Sequence, residues 1–316
     1  MGNASIQLID RPKYLQDLSK WAGQNDLVKI VTGVRRCGKS KQSELFQSNL
    51  ITKNLATDEQ IISINLEDPV ETKEIGLTLT ENKRLRSYET LLDYVLKRLQ
   101  KDKMNYVFID EVQLLENWEQ VANAFRLRNN IDVYLTGSNA YMFLSDLANV
   151  FGGRYVEIKM LPYSFAEYYN AYNSMIGLKT FENREDFLKR HDLQAIYTKY
   201  ITESGFPQTV NIAFDRQMIN DYLHDTVYMN TLQKDIVRRF NITDSNKLDS
   251  VVRYMFDNIG NETSLRSIER RLKAAGYNVS APSIDVYLKG LLDSYLLYKC
   301  ERYDIKGKYI NANAMT

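Results

Sequence analysis

The stretch Gly33-Val34-Arg35-Arg36-Cys37-Gly38-Lys39-Ser40 decides the fold, because it fits the phosphate-loop pattern Gly-x4-Gly-Lys-Ser. An apolar run at 27–32 precedes it and a helix-compatible stretch at 39–50 follows. This strand, loop and helix order allows backbone N–H groups and a helix N-terminus to surround phosphate oxygens. The sequence therefore predicts that residues 33–41, from Gly33 to Lys41, bind the phosphates of a nucleotide.

Four polar side chains supply the predicted chemistry. Lys39 is placed to reach the β- and γ-phosphates of ATP, and the Ser40 hydroxyl to ligate Mg²⁺. Asp110 and Glu111 end the apolar run 106–109. Neighbouring residues on a strand point to opposite sides, so we expect Asp110 to support the Mg²⁺ and Glu111 to act on the attacking water. This pattern predicts ATP hydrolysis.

Three further polar residues are candidate sensors of the γ-phosphate. Ser138 and Asn139 follow the predicted strand 131–135, beside the acidic strand, where a polar group can contact the attacking water; capping of the next helix is an equally good interpretation. Gln113 is placed to couple the phosphate state to movement, and a solvated turn is the alternative.

Two residues, one in the loop and one before the fifth strand, each have two candidate roles. Arg154 precedes the predicted strand 155–160, the position of an arginine finger that acts on a neighbouring subunit, which predicts a homo-oligomer. A salt bridge that anchors Gly152 and Gly153 is the alternative. Cys37 lies near helix-terminal charge and Lys39, which could lower the pKa of its thiol and allow a redox role. The need for a small side chain is enough to explain the residue and is the default interpretation.

The hydrophobic pattern predicts an α/β fold with a parallel sheet. Apolar runs at 27–32, 61–66, 106–109, 131–135 and 155–160 alternate with amphipathic stretches. One strand between the loop strand and the acidic strand favours the ATPase branch with an inserted strand. We expect this P-loop domain to cover 1–162.

Helical patterns follow the predicted sheet. Those at 164–172, 183–203 and 215–240 predict a helical connector or lid over 163–246. Helices at 247–259, 264–275 and from 280 or 282 to 295, with strands at 296–299 and 308–310, predict a winged helix over 247–316. The tetrapeptide at 246–249 fits the guanine-reading pattern Asn-Lys-x-Asp, but we interpret it as a helix start because no buried strand precedes it.

Composition excludes several classes of protein. The 316 residues carry 41 Lys and Arg against 40 Asp and Glu, so there is no global reason to expect a polyanionic partner. Two cysteines and two histidines are too few for a disulfide framework or a His-rich metal centre. No apolar run is long enough to cross a bilayer, so we expect a cytoplasmic protein without a membrane partner.

The charge of the predicted winged helix gives weak support for DNA binding. Residues 247–316 hold 11 Lys and Arg and 8 Asp and Glu. The third helix offers only Lys289 as a cation and carries Asp285 and Asp293, so sequence-specific readout is poor. The basic residues lie on the preceding helix: Arg266, Arg270, Arg271 and Lys273. Packing on the ATPase domain or a partner is favoured over DNA contact.

Six stretches in order make the chain similar to the prokaryotic AAA-type ATP-binding proteins, which are related to the archaeal ATPases and carry a C-terminal domain of unknown function. They are GVRRCGKS at 33–40, FIDEVQ at 108–113, LTGSNA at 135–140, GGRYVEIKMLPYSFAEYY at 152–169, SGFPQ at 204–208 and the stretch 247–310. The resemblance implies a P-loop NTPase sheet of the AAA (ASCE) type. Lys41-Gln42-Ser43 departs from the Thr-Leu-Leu usual in the family.

The resemblance also bears on the C-terminus. Members of this family commonly continue into a domain resembling restriction-type nucleases, and residue 316 comes too soon for it. No nuclease activity is expected, and whether the short C-terminus is natural stays open.

The predicted function is Mg²⁺-dependent ATP hydrolysis that switches the helical and winged-helix domains. Two alternatives remain: a nucleotide-gated binding module that holds ATP or ADP with negligible turnover, and a DNA-binding regulator that uses the winged helix.

Overall fold

Five parallel strands form the central sheet of the computed structural model, which describes residues 9, 11–81, 84–138, 150–176, 192–212 and 215–300. The strands are β1 (Val28–Thr32), β2 (Ile61–Asn65), β5 (Asn105–Asp110), β6 (Ile131–Gly137) and β7 (Tyr155–Lys159), in the order β2-β5-β6-β1-β7. This confirms the α/β prediction. Because β6 lies between the loop strand β1 and the acidic strand β5, their carboxyl ends meet at one edge.

Helices cover the sheet and bury its inner strands, while the edge strands β2 and β7 stay partly exposed. The helices are α1 (Pro12–Lys20), α2 (Lys39–Thr52), α3 (Pro69–Ile75), α4 (Tyr88–Leu96) and α5 (Trp118–Arg126), with a small antiparallel pair, β3 (Thr78–Leu79) and β4 (Leu85–Arg86), between α3 and α4. Every residue of β1 and β6 is buried, as expected of a parallel sheet covered on both faces. Trp118 and Phe125 pack into the same core.

In the described part of the first compact unit, residues 1–223, the regular elements that follow β7 are helices. This part contains α6 (Phe165–Met175), α7 (Leu193–Glu203), α8 (Pro207–Asn211) and α9 (Arg216–Asp221). Ser164 Oγ accepts a hydrogen bond from the Glu167 backbone N–H, and the Glu167 carboxylate accepts one from the Ser164 N–H, so a capping box starts α6. The predicted helix 183–203 is described only from Leu193 on.

The predicted helix 215–240 is helical from Arg216 to Val237, but most of it is π-helix rather than α-helix. After α9 the chain forms two π-helical stretches, Tyr222–Met229 and Thr231–Val237. Periodicity cannot separate a π-helix from an α-helix over so few turns.

The second compact unit, residues 224–316, contains α10 (Ser245–Asp257), α11 (Leu265–Ala274) and α12 (Ala281–Asp293). Asp244, Ser264 and Ser280 cap these helices at their N-termini. The core between them comprises Leu232, Ile236, Leu248, Val251, Ile268, Leu272, Ile284, Leu288 and Leu291. The Asn-Lys-x-Asp tetrapeptide lies in the first turn of α10, as the helix-start interpretation predicts.

The β-hairpin wing is not confirmed. Turns, bends and irregular backbone, without a strand, occupy residues 294–300, and the expected second strand at 308–310 lies outside the described residues. The division into three domains with boundaries at 162 and 246 stays a prediction. Over the described part of the chain, none of the helices has the length and apolarity that crossing a membrane requires.

Candidate functional site

The phosphate loop at 33–40 connects β1 to α2 and depends on two glycines. A Cβ atom on Gly33 would lie 2.0 Å from the Met160 carbonyl oxygen, so any side chain there would displace the backbone after β7. Gly38 has a φ of +102°, a left-handed conformation that glycine adopts without strain. The sequence therefore meets a steric demand at both ends of the loop.

Lys39 lies inside the curve of the loop. Its side chain is buried, and Nζ donates hydrogen bonds to the carbonyl oxygens of Gly33 at 3.0 Å and Val34 at 3.3 Å. These contacts hold a cation among the backbone groups that were predicted to bind phosphate.

Ser40 and Asp110 meet at the carboxyl edge of the sheet. Ser40 Oγ donates a hydrogen bond to Asp110 Oδ2 at 2.6 Å. On the other carboxylate oxygen, Oδ1, Asp110 accepts a hydrogen bond from Thr136 Oγ1. The pairing of Ile109 with Leu135 in the sheet places Asp110 and Thr136 side by side. Thr136 was not among the predicted site residues, although the register of two parallel strands could have identified it.

Glu111 follows in a strained conformation. Its φ of +52° and ψ of +45° are left-handed, which costs a non-glycine residue about 1–2 kcal/mol. Its backbone N–H donates to Thr136 Oγ1 at 3.2 Å, and its side chain is largely buried. Strain of this kind is concentrated at functional sites, where the surrounding structure holds it.

Gln113 links Glu111 to the end of β6. Its Nε2 atom donates to Glu111 Oε2 and, at 3.4 Å, to Ser138 Oγ. The structure thus brings the predicted sensors Gln113 and Ser138 to the predicted base. Asn139, the remaining sensor candidate, lies outside the described residues.

The Ser40 hydroxyl and the Asp110 carboxylate are the oxygen groups that could hold a cation at this site. Burial raises the pKa of Asp110 above its usual range, although hydrogen bonds from Ser40 and Thr136 oppose the shift. Among the described residues, no group of three or more His, Cys, Asp or Glu side chains could hold a metal by itself. A hydroxyl and one carboxylate nevertheless fit Mg²⁺, which takes few protein ligands and completes its coordination with phosphates and water.

The remaining loop positions differ in their surroundings. Arg35 is buried and pairs with Glu67, after β2, at 3.1 Å. Arg36 is exposed. Lys41 pairs with Glu44 at 2.7 Å on the surface of α2, so its side chain contacts the helix. Its backbone remains part of the predicted phosphate site.

Cys37 is an unfavourable redox site. The side chain is fully buried, and burial raises the pKa of the thiol despite the nearby charges of Lys39 and Arg11. A protonated, inaccessible thiol reacts slowly with oxidants. The small-side-chain interpretation therefore agrees better with its environment.

Arg11 was missed by the sequence analysis, since a single Arg before a helix has no distinguishing pattern. It is almost fully buried and donates to the carbonyl oxygens of Cys37 and Pro162, each at 3.2 Å. It also forms a bidentate ion pair with Glu167, in which Nε donates to Oε1 at 2.8 Å and Nη2 donates to Oε2 at 3.0 Å. Arg11 thus connects the phosphate loop to the first turn of α6.

Arg154 lies at the amino ends of the strands, opposite the carboxyl ends that carry the phosphate loop. It precedes β7, and its backbone oxygen accepts from the N–H of Val28, at the start of β1. The phosphate loop follows the other end of these strands, roughly 16 Å away for five residues at ~3.3 Å each. The exposed Arg154 side chain is therefore remote from its own loop.

The comparisons with known proteins agree with this geometry. A family model described as an AAA domain matches residues 25–169, and a domain of unknown function (DUF8612) matches 194–314. An uncharacterized protein of Haemophilus influenzae is 31% identical over 312 residues, which cover 98% of this chain and 71% of that protein. The chain belongs to this family of AAA proteins.

Solved structures also resemble this AAA protein. ORC1 of Aeropyrum pernix in complex with DNA matches with a TM-score of 0.43 and 13% identity, over 91% of this chain and 84% of ORC1. AMPPCP-bound DnaA of Aquifex aeolicus matches with a TM-score of 0.40 and 11% identity, over 91% of this chain and 93% of DnaA. TM-scores this low do not by themselves support a fold assignment. The AAA-type P-loop fold is assigned from the sheet order, the phosphate loop and the family match.

Proposed function

We propose that this AAA protein is a Mg²⁺-dependent ATPase whose turnover drives movement of its helical region and C-terminal unit. The observation that carries the proposal is the polar chain from Ser40 through Asp110 to Thr136, with Glu111 next to it. A phosphate loop alone would support nucleotide binding. An acidic pair beside the loop, Asp110 and the buried Glu111, is what hydrolysis requires.

The residues divide the chemistry between them. Lys39 neutralises charge on the β- and γ-phosphates, together with the loop N–H groups. Glu111 accepts a proton from the attacking water. The water oxygen then bonds to the γ-phosphorus, and the bond between the γ-phosphorus and the β–γ bridging oxygen breaks. Gln113 and Ser138 orient the Glu111 carboxylate.

Ser40 and Asp110 would hold Mg²⁺, the Asp110 carboxylate acting through the Ser40 hydroxyl or a bound water. When bound, the ion supplies Lewis-acid stabilisation of phosphate charge. The pair of hard oxygen donors is the support for this assignment.

Movement would begin at the phosphate loop. Arg11 contacts the Cys37 carbonyl and the Glu167 carboxylate, so a shift of the loop would move the first turn of α6. A packed, hydrogen-bonded connection of this kind is what coupling between a site and a distant element needs.

The test compares phosphate release from MgATP by the full chain and by Lys39→Ala. Lys53→Ala serves as the control, since Lys53 is an exposed cation just after α2. We expect Lys39→Ala to lose the activity and Lys53→Ala to retain it. Equal rates for the wild type and Lys39→Ala would refute the ATPase proposal.

A second candidate, a binding module with negligible turnover, is favoured by the contact between Gln113 and Glu111. While the Gln113 amide donates to the Glu111 carboxylate, that carboxylate oxygen does not accept a proton from water; the contact has to break first. Tight retention of ATP without phosphate release would favour this candidate, and Gln113→Ala should then raise turnover.

The proposed arginine finger requires a second copy of the chain. Since Arg154 is remote from its own loop, it would act on a neighbouring subunit's nucleotide. Association detected by light scattering with MgATP, and a 10³-fold or greater loss of turnover in Arg154→Ala, are expected. A monomer with unchanged turnover in the variant would contradict the assignment.

A further inference from the structure

Four of the five exposed residues of α11 are cationic. Ile268 and Leu272 point into the core of the second unit, and Leu265 packs against that core. The exposed residues of α11 are Arg266, Arg270, Arg271, Lys273 and Ala274. At 1.5 Å per residue, Arg266 and Lys273 are roughly 10 Å apart along the helix axis.

These four cations, Arg266, Arg270, Arg271 and Lys273, have no acidic partners among the described residues of the second unit. Glu269, the acidic residue of α11, would be the natural i,i+4 partner of Lys273. Its Oε1 atom instead accepts a hydrogen bond from the Ala281 backbone N–H at 3.2 Å. The face therefore presents uncompensated positive charge.

The chemistry of the face indicates what it binds. A protein partner normally buries an apolar centre, and this face offers only Ala274 for that purpose. Three of the four cations are Arg, whose planar guanidinium groups form paired hydrogen bonds with phosphate oxygens. Duplex DNA carries about one phosphate charge per 1.7 Å of axis, so a span of roughly 10 Å meets enough phosphates for all four.

The neighbouring helix does not add sequence readout. The exposed side chains of α12 before its last turn are Pro282, Asp285, Val286 and Lys289. Asp285 repels phosphate, and the row lacks the Arg, Asn and Gln side chains that read base edges most often. Contacts to phosphates alone fix position without conveying sequence.

We propose that the exposed face of α11, formed by Arg266, Arg270, Arg271 and Lys273, binds the phosphate backbone of duplex DNA without sequence preference. The proposal is independent of ATP hydrolysis.

The test measures how salt weakens binding. The full chain is titrated into labelled 20-base-pair DNA of mixed sequence, followed by fluorescence anisotropy at 50–200 mM NaCl. Four released counterions give a slope of about −3.6 for log K against log salt, which is roughly a 150-fold loss over this range. Arg270→Gln/Arg271→Gln should halve the slope, so the loss becomes about 12-fold.

Two controls make the result specific. Lys101→Gln/Lys103→Gln removes the same charge from exposed positions in the first unit and should leave the slope unchanged. Arg266→Gln/Lys273→Gln should reproduce the halved slope at the other two positions of the face. A second duplex of unrelated sequence should bind within about twofold of the first.

Several results would overturn the proposal. One is that the wild type does not bind DNA at 50 mM NaCl, and another is that it strongly prefers one of the two duplex sequences. A third is a salt slope that falls equally in the Lys101/Lys103 control and in the α11 variants. Polyglutamate and unlabelled duplex should also be compared as competitors of the labelled DNA. If polyglutamate displaces the labelled DNA as well as unlabelled duplex does at the same total charge, the face binds an acidic protein instead.

Discussion

Replacing Arg11 with Met tests how much the connection between the phosphate loop and α6 stabilises the first unit. Met keeps much of the length of the side chain and removes the guanidinium. The change takes the guanidinium donor away from the carbonyl oxygens of Cys37 and Pro162 and from the Glu167 carboxylate. That carboxylate keeps its hydrogen bonds from Ser164. The Arg11 and Glu167 side chains are 4% and 18% exposed, so water compensates little.

The expected cost follows from that burial. Removing one member of a buried ion pair typically costs about 3–5 kcal/mol, because the remaining charge stays desolvated. At about 2–4 °C per kcal/mol for a domain of this size, the melting temperature of the first unit should fall by roughly 6–20 °C.

Tryptophan fluorescence is the suitable assay. Trp21 and Trp118, the two tryptophans of the chain, both belong to the first unit, so their emission reports its unfolding alone. Lys20→Met is the matched control, since Lys20 pairs with Asp17 on the surface and such pairs contribute about 0–1 kcal/mol. If Arg11→Met loses no more stability than Lys20→Met, the connection is not a stabilising one.

The ion pair between Arg11 and Glu167 should make the stability of the first unit depend on pH. Burial raises the pKa of Glu167, but the hydrogen bonds and charge of Arg11 and the bonds from Ser164 outweigh it and lower the pKa overall. A lowered pKa in the folded state means stabilisation above the unfolded value of about 4.5, lost as the pH falls through the folded value. The difference between the wild type and Arg11→Met should therefore shrink below pH 4.5. A difference that stays constant down to pH 3 would contradict this assignment of charge.

Three other substitutions have definite expected outcomes. Gly33→Ala should abolish ATP binding in a fluorescent-nucleotide titration, because its Cβ atom would overlap the Met160 carbonyl; normal affinity would refute the steric argument. Asp110→Asn should lower turnover roughly 10–100-fold. Because burial raises the pKa of Asp110, this variant should not melt earlier than the wild type near pH 7, and a clear loss of stability would contradict the sign. Lys29→Met should cost about 3–5 kcal/mol because it leaves the buried Asp132 carboxylate without its cation. Gly23 N–H and Tyr134 OH remain as donors to that carboxylate, and a melt unchanged from the wild type would contradict the expected cost.

The sheet and the phosphate loop were predictable because each leaves a local pattern. Strands buried on both faces appear as short apolar runs, and the loop has a fixed spacing of Gly, Lys and Ser. Asp110 and Glu111 were predictable for the same reason, since both directly end such a run.

Residues that act through tertiary contacts could not be found in this way. Arg11 lies 26 residues before the Cys37 carbonyl and 156 before Glu167, and nothing nearby in the sequence connects them. Thr136 gains its importance from the register between β5 and β6. The π-helical stretches depend on backbone hydrogen bonds that residue type does not encode.

The measurement that tests the central proposal most directly is single-turnover ATP hydrolysis by Glu111→Gln alongside equilibrium ATP binding. Glutamine keeps the shape of the side chain and the contact with Gln113 but cannot accept the proton of water. Loss of a positioned base typically costs 10²- to 10⁴-fold in rate. We predict such a loss with ATP affinity within about threefold of the wild type. Unchanged hydrolysis, or loss of binding together with hydrolysis, would contradict the proposed role of Glu111.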